Sequence, residues 1–291
     1  MLNSVAVIGG DKRQLYCAKA FESDGMKVTL GGFDKIKSEC DIEVACAVRA
    51  ALLSEFVVLP IPCVKGDSLN APFSFKKLLF DEDLLYAVKG KKIFTSMKEK
   101  LMDLAPQLES KLVFDYTKRE EFLIHNAVAT AEGAIEIAMR EFEGTLSHSR
   151  CLVCGFGRIG KVLSKMLCSL NACVTVSARK QSDLAWISTL PCEGTKTSCL
   201  SSQKPFDIIF NTVPAMVFDS FLLSQIAKNA IVIDLASYPG GVDFEACGRL
   251  SICAIHALSL PGKAAPKTAG EIIKTTITNM LEEDDGCQKL A

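Results

Sequence analysis

The strongest chemical signal in the sequence is a glycine-rich hexapeptide, Gly155-Phe156-Gly157-Arg158-Ile159-Gly160. A short apolar run precedes it, and the apolar residues that follow it recur at helical spacing. In such a strand–turn–helix unit, Gly155 permits a tight turn, Gly157 lets the backbone approach a pyrophosphate, and Gly160 lets the helix pack closely on the sheet. The helix N-terminus then faces the phosphate charge. This context predicts a dinucleotide-binding site rather than a glycine-rich turn without a ligand.

The end of the following strand indicates which dinucleotide binds. An NAD site usually places Asp or Glu roughly 20 residues beyond the glycines, to bind the ribose 2′-hydroxyl. This sequence has Ser177-Ala178-Arg179-Lys180 there, which offers a small hydroxyl and two cations and no acid. A guanidinium binds a phosphate through charge-assisted hydrogen bonds. We therefore expect NADP, and the alternative is a solvated basic turn.

Two later strand ends should complete the pocket, because the carboxyl ends of parallel strands line the ligand crevice. They carry Asn211-Thr212-Val213-Pro214 and Asp234-Leu235-Ala236-Ser237, the latter followed by Pro239-Gly240-Gly241. We expect contacts there with the nicotinamide ribose and the substrate. Asn211 could instead be a turn former and Asp234 a helix cap.

The amino-terminal half opens with a strand and Gly9-Gly10-Asp11-Lys12-Arg13-Gln14. This is half of a nucleotide motif without its third glycine. The loop and the helix start predict a site for the carboxylate of a small anion, with Arg13 as a bidentate donor. The alternative is an empty strand-to-helix loop capped by Asp11.

Other residue pairs carry weaker signals. The spacing Cys151-x-x-Cys154 occurs in redox and zinc sites, but both cysteines belong to the first strand of the nucleotide unit, so we expect them in the core and predict no metal site. The histidines are scattered, and no metal-binding spacing appears among them. His125 and His256 are conceivable proton carriers.

Short β-branched runs alternate with helical patterns along the whole chain, which predicts α/β architecture with parallel sheets. We expect two doubly wound, Rossmann-like domains: residues 1–125 for substrate and residues 148–265 for NADP. Residues 126–147 should form a connecting helix, and residues 266–291 a helix that returns to the first domain. Hinge helices of this kind predict two lobes with a cleft between them.

Composition excludes several classes of protein. The 291 residues include 33 Lys+Arg and 34 Asp+Glu. Such a balance lacks the excess of positive charge that is typical of proteins that bind nucleic acid or a membrane surface. No apolar run reaches the length of a membrane span, and no export leader opens the chain. The 13 cysteines are odd in number and lie mostly in apolar runs, which favours a reduced, cytoplasmic protein. A homo-oligomer is the default expectation.

Taken together, these segments resemble the A subunits of dipicolinate synthase from spore-forming bacteria. The resemblance covers nearly the whole chain, and its most specific segments are GGDKRQ at 9–14, TAEGAI at 130–135 and LPGKAAPKTAG at 260–270. It also includes LPIP at 59–62, LNAPFS at 69–74, NTVP at 211–214 and DLASYPGG at 234–241. The chain departs from the family pattern in its many cysteines and in Ala129, where a proline is expected.

The resemblance implies oxidation of a dihydrodipicolinate-type intermediate by NADP⁺ to pyridine-2,6-dicarboxylate (dipicolinate) in the mother cell of a sporulating bacterium. It also implies that the chain works with a partner, the flavoprotein-like B subunit. A ring carbon loses hydride while a neighbouring proton departs, and the gain of aromaticity drives the step, so the protein must mainly position the reactants. On this basis the dicarboxylate substrate is assigned to Arg13 and Lys267, with Asp11, Thr130, Ser237, Gly240 and Gly241 nearby. Lys267 or Lys263 precedes His125 as the expected proton acceptor.

Two alternatives remain open on the sequence. The first is an NADP-dependent reductase or 2-hydroxyacid dehydrogenase for another small acid, which normally pairs a His with a carboxylate. Only His256 could serve there, and it has no obvious partner acid. The second is a regulatory protein that binds a nucleotide and has no catalytic activity.

Overall fold

The computed structural model describes residues 2–290, with side chains up to residue 284. It divides the chain into two compact units, residues 1–125 with 265–291 and residues 126–264. Each unit contains a six-stranded sheet whose neighbouring strands pair in parallel. The predicted α/β class with two doubly wound, Rossmann-like sheets is confirmed.

The first unit begins with alternating strands and helices. These elements are β1 (Ser4–Ile8), α1 (Lys12–Ser23), β2 (Lys27–Gly31), β3 (Glu43–Ala45), α2 (Ala47–Leu52), β4 (Phe56–Val58), β5 (Val64–Lys65), β6 (Ser68–Leu69), α3 (Glu82–Val88), β7 (Lys92–Thr95), α4 (Lys98–Leu104) and β8 (Val113–Asp115). The sheet order is β3-β2-β1-β4-β7-β8, and β5 and β6 form a separate antiparallel hairpin. The central strands β1 and β4 are apolar and buried almost throughout, as expected where helices cover both faces of a sheet.

A long helix, α5 (Glu120–Glu141), leads into the second unit. The sequence predicted a helix over 126–147, so the observed helix begins and ends earlier. Glu120 and Glu121 supply negative charge to its first turn, which favours a helix start there. Residues 142–147 follow this helix and are not helical.

The second unit repeats the alternation of strands and helices. Its elements are β9 (Arg150–Cys154), α6 (Arg158–Ser169), β10 (Cys173–Ala178), α7 (Gln181–Ile187), β11 (Glu193–Lys196), β12 (Ile208–Asn211), α8 (Ser220–Leu223), β13 (Ile231–Asp234), α9 (Phe244–Leu250), β14 (Cys253–His256) and α10 (Leu260–Ala264). The order β11-β10-β9-β12-β13-β14 reverses direction between β9 and β12. Ligands of doubly wound sheets bind at such a switch point, beyond the carboxyl ends of the strands.

The last helix, α11 (Pro266–Leu290), belongs to the first unit and packs on α1. Proline is favoured in the first turn of a helix because its missing N–H has no partner there in any case. A side chain at Gly270 would lie 2.5 Å from the carbonyl oxygen of Arg13, so glycine allows the two helices to approach closely. Ile273 and Ile277 of α11 are buried in the core of the unit. Along the described part of the chain, no helix is both long and apolar enough to cross a membrane.

Candidate functional site

The glycine turn of the second unit joins β9 to α6 and has little room for side chains. Gly155 has a φ of +99°, and a Cβ there would lie 2.5 Å from the hydroxyl of Thr212. A Cβ at Gly160 would overlap the carbonyl oxygen of Gly155, so only glycine lets the helix start pack against the turn. At Gly157, by contrast, a Cβ would meet no atom within 4 Å. The backbone is therefore open to a ligand at Gly157.

Helix α6 begins at this open glycine. Gly157 is its N-cap and gives the first turn no side-chain hydrogen bond. The first N–H groups of a helix have no partner within the helix, and their positive end attracts anions. A phosphate could therefore bind here as the glycine motif predicts.

A cavity of about 830 Å³ opens beside the turn and is lined by residues 155–157, 178–180, 196–198 and 212–217 together with Asp183. These residues come from the carboxyl ends of β9, β10, β11 and β12 and from α7. The predicted cofactor residues that line it are Gly155, Phe156, Gly157, Ala178, Arg179, Lys180, Thr212, Val213 and Pro214. A pocket of this size is in the range of small-molecule sites.

The outer part of this cavity is rich in cations. Arg179, Lys180 and Lys196 are exposed, and Asp183 supplies a carboxylate among them. Lys196, with Thr197 and Ser198 after it, was missed by sequence reasoning because the short strand β11 (EGTK) contains a glycine and only one β-branched residue. The missed Asp183 lies in the first turn of α7.

Ser177 does not reach the cavity. It is fully buried on β10, next to Cys154 in the strand register. Its hydroxyl is buried without a hydrogen-bond partner in the part of the chain described. Contact of this hydroxyl with a 2′-phosphate therefore stays a prediction, since Ser177 is not among the residues that line the cavity.

Asn211 and Asp234 form a buried pair at the ends of β12 and β13. The Asn211 amide donates to Asp234 Oδ1 at 2.8 Å and to the carbonyl of Val213 at 3.0 Å. Asp234 also accepts hydrogen bonds from the backbone N–H groups of Ala236 at 3.1 Å and Gly241 at 2.9 Å. Both side chains are fully buried. They therefore hold the two loops in place and are not among the residues that line the cavity, so their expected contacts with the cofactor stay a prediction.

The loop after β13 is also fixed by its glycines. A Cβ at Gly240 would lie 2.7 Å from Asp234 Oδ2, and one at Gly241 would lie 2.5 Å from the Asn211 amide nitrogen. Leu235 and Ala236 are buried, whereas Ser237 is exposed.

Four of the predicted cofactor contacts are not among the residues that line the cavity. They are Leu235 and Ala236, which are buried in the core, together with Arg158 and Ile159 on the first turn of α6. Gly160 also lies outside the lining, since its role is close packing.

The cysteines of the C-x-x-C spacing lie in the core, as expected. Cys151 and Cys154 are both fully buried on β9. Burial raises the pKa of each thiol to about 11. A buried thiol that stays protonated is a poor nucleophile and a poor metal ligand. Among the described residues, no three His, Cys, Asp or Glu side chains gather as metal ligands would.

In the first unit, the loop after β1 is closed by a capping box. The Asp11 carboxylate accepts a hydrogen bond from the N–H of Arg13, and the Gln14 side chain accepts one from the N–H of Asp11 at 3.2 Å. Reciprocal bonds of this kind stabilise a helix start. The Gln14 amide nitrogen is buried without a partner in the described part of the chain.

Arg13 lies beside the switch point of this sheet, between the ends of β1 and β4. Its guanidinium donates to both Asp11 oxygens through Nε and Nη2, and Nη2 also donates to the carbonyl of Ile61 at 2.5 Å. The side chain is only 9% exposed. The structure therefore holds Arg13 rigidly, with part of its hydrogen-bonding capacity committed to the protein.

The remaining predicted site residues differ in exposure. Lys263, Lys267 and His125 are exposed. Thr130 is buried, and its hydroxyl donates to the backbone carbonyl of Asn126 at 2.8 Å. The last candidate, His256, stacks on Phe244 with ring centroids 5.3 Å apart, and its Nε2 lies 3.4 Å from the carbonyl of Ala236.

Comparison with known proteins gives a consistent result. Residues 4–113 match the family described as the N-terminal domain of the dipicolinate synthase A subunit. The chain is 31% identical over 285 residues to the A subunit of dipicolinate synthase from Bacillus subtilis (strain 168), and the match covers 96% of each protein.

Solved structures agree with the sequence match. The crystal structure of the dipicolinate synthase A subunit from Bacillus subtilis has a TM-score of 0.86 at 30% identity and covers 97% of both chains. The A subunit from Bacillus halodurans has a TM-score of 0.85 at 27% identity, covering 96% of this chain and 97% of that one. A transhydrogenase from Sinorhizobium meliloti shares the fold alone, with a TM-score of 0.68 at 14% identity over 96% of this chain and 93% of that one. The chain therefore belongs to the family of dipicolinate synthase A subunits.

Proposed function

We propose that this chain is the NADP-dependent dehydrogenase component of a dipicolinate synthase. It oxidises a dihydrodipicolinate-type intermediate to pyridine-2,6-dicarboxylate in the mother-cell cytoplasm of a sporulating bacterium, together with a flavoprotein-like B subunit. Family membership supports the reaction class. The observation that carries the proposal is the cavity of the second unit, which combines an uncapped helix start with a group of cations.

The residues of this cavity fit a dinucleotide. The pyrophosphate would accept hydrogen bonds from the first N–H groups of α6, where Gly157 leaves the backbone open. Arg179 and Lys180 would bind the 2′-phosphate that distinguishes NADP from NAD. When bound, the nicotinamide supplies the acceptor for hydride.

The protein's own part in the reaction is to position the reactants and to bind their charged groups. Asn211 and Asp234 fix the loop that carries Thr212, Val213 and Pro214, and this loop lines the cavity beside the switch point. A loop held by buried hydrogen bonds keeps the bound ring in one orientation, so less entropy is lost on reaching the reactive geometry.

The two cations proposed to bind the substrate carboxylates belong to the first unit. Arg13 would hold a carboxylate, since Asp11 and the Ile61 carbonyl fix its guanidinium at the end of the sheet. Lys267, exposed at the start of α11, is the second cation for the dicarboxylate when protonated, and as a neutral amine it is the first choice of proton acceptor. The further candidates in the proposal are Lys263, His125, Thr130 and Ser237, with Gly240 and Gly241 in the loop that carries Ser237.

The test is a nucleotide titration followed by an activity assay. We expect the purified chain to bind NADPH more tightly than NADH by about 1–3 kcal/mol, and Arg179→Ala to lose that margin. With the B subunit present, it should reduce NADP⁺ in the presence of a dihydropyridine dicarboxylate, and Arg13→Ala should abolish this activity without changing NADPH affinity. Absence of nucleotide binding by the wild-type chain would refute the proposal.

A further inference from the structure

We infer that Lys196 is a specificity-determining residue for the nucleotide and that, with Ser198, it forms the second wall of a subsite for a phosphate monoester. Arg179 and Lys180 form the first wall. The inference rests on the proposed nucleotide function of this cavity and extends it to β11, which the glycine motif does not include.

Strand pairing brings the two walls together. β10 and β11 are parallel neighbours, and Ala178 pairs with Lys196 as the last residue of each strand. Parallel strands lie about 4.8 Å apart, so the residues that follow both strands leave the sheet at the same edge. Residues 178–180 and 196–198 accordingly line a single cavity.

The charges at this edge are not neutralised by the protein. Within the described residues, Arg179, Lys180 and Lys196 form no ion pair and no side-chain hydrogen bond. Arg140 of the same unit, by contrast, is paired with Glu136 at 3.1 Å. Like charges that share a cavity repel one another, and an anion between them removes the repulsion.

The chemistry of the expected ligand follows from the arrangement. A phosphate monoester carries about −1.5 to −2 charges at pH 7 and three acceptor oxygens, enough for several cations and a hydroxyl. Lys196 supplies an ammonium group and Ser198 a hydroxyl, both on exposed residues. The uncapped start of α6 lies in the same cavity, so one dinucleotide with a 2′-phosphate can use both ends.

Asp183 opposes the binding of a phosphate in this cavity. Its carboxylate lines the same cavity, where it would repel a 2′-phosphate or accept a hydrogen bond from a ribose 2′-hydroxyl. If the second role prevails, the cavity prefers nucleotides without the extra phosphate. The effects of Lys196 and Asp183 on a matched pair of ligands separate these two possibilities.

The experiment titrates the intact chain with 2′,5′-ADP and with 5′-AMP by isothermal calorimetry. Both probes carry adenine, ribose and a 5′-phosphate, and only the first carries the 2′-phosphate. Lys196→Ala and Lys196→Gln are compared with Lys228→Ala, which removes an exposed lysine of the same unit from outside the cavity. Thermal unfolding checks that each variant is folded.

We expect each Lys196 variant to weaken 2′,5′-ADP binding about tenfold, the loss of one charge-assisted contact, and to change 5′-AMP binding by less than about twofold. Lys228→Ala should alter neither affinity. Asp183→Asn should strengthen binding of 2′,5′-ADP by removing a repulsive charge.

Other outcomes overturn the inference in distinguishable ways. One such outcome is that Lys196→Ala leaves the ratio of the 2′,5′-ADP and 5′-AMP affinities unchanged while Arg179→Ala removes the preference for 2′,5′-ADP. In that case Lys196 does not contact the 2′-phosphate, and the proposed function stands. If wild-type protein prefers 5′-AMP and Asp183→Asn weakens that binding, the cavity is built for a free 2′-hydroxyl. If neither probe binds, both the proposed function and this inference fail.

Discussion

Replacing Asp234 with Asn should destabilise the second unit although the two side chains have the same shape. One carboxylate oxygen accepts hydrogen bonds from the Asn211 amide and the Ala236 N–H, and the other accepts one from the Gly241 N–H. An asparagine has a single oxygen, so its NH₂ group must face at least one of these donors. The substitution therefore leaves a buried donor without an acceptor.

The size of the effect follows from the same geometry. A buried donor without a partner costs about 1–3 kcal/mol, and the surviving bonds lose the strength that the negative charge gave them. Water cannot readily substitute, because Asp234 and Asn211 are both fully buried. We expect the unfolding free energy to fall by about 2–4 kcal/mol.

Urea unfolding of the purified chain measures this loss. Trp186 is the single tryptophan and lies in α7, so its emission reports on the unit that contains Asp234. Asp243→Asn is the matched control, because Asp243 caps α9 through the N–H of Ala246 at 2.9 Å and asparagine caps equally well. The control should lie within about 0.5 kcal/mol of the wild type.

Hydrogen–deuterium exchange locates the effect. In Asp234→Asn, amides of residues 212–217 and 235–242 should exchange faster, since the buried pair holds both loops. The reasoning is refuted if Asp234→Asn and Asp243→Asn are equally stable and the exchange of both loops is unchanged.

Three further predictions concern glycines and a thiol. Gly160→Ala should lower stability by about 1–3 kcal/mol because its Cβ overlaps a backbone oxygen, as urea unfolding would show. Gly157→Ala should change stability by less than about 0.5 kcal/mol, because its Cβ would contact no protein atom within 4 Å. The same Cβ would occupy space that the proposed nucleotide needs, so NADPH binding should weaken in a titration. Unchanged affinity would contradict this. Burial raises the pKa of the Cys154 thiol to about 11, above the value of about 8.5 in an unfolded chain. The unfolded state therefore loses its proton first, stability falls as the pH rises between these values by up to roughly 1.4 kcal/mol per pH unit, and urea midpoints of Cys154→Val should fall less steeply.

The sequence predicts the sheets well because their strands are buried on both faces. Runs such as Ser4–Ile8 and Ile231–Asp234 contain almost only apolar residues, and such runs stand out between helices of clear periodicity. The boundaries of α5 were predicted less well. Its first turn is charged and carries no apolar periodicity, so only the favourable effect of Glu120 and Glu121 on a helix start marks it.

The candidate site is predictable where backbone geometry decides it. Gly155 and Gly160 have no room for a side chain, and a motif read from the sequence captures that requirement. The roles of Asn211 and Asp234 depended on which partner each side chain finds. Two polar residues at neighbouring strand ends can bind a ligand or each other, and only the register, which pairs Asn211 with Asp234, brings them close enough to bond.

The selectivity of the cavity depends on the same kind of information. Lys196 lies 17 positions beyond Arg179 in the chain, and only the pairing of β10 with β11 places both in one cavity. Asp183 enters it because α7 starts directly after β10. The sequence alone showed two cations and no acid at this strand end, whereas the folded chain presents three cations and one acid. In the proposed nucleotide site, preference for a 2′-phosphate would therefore be a balance of opposed charges, and substitutions at Lys196 and Asp183 should shift it in opposite directions.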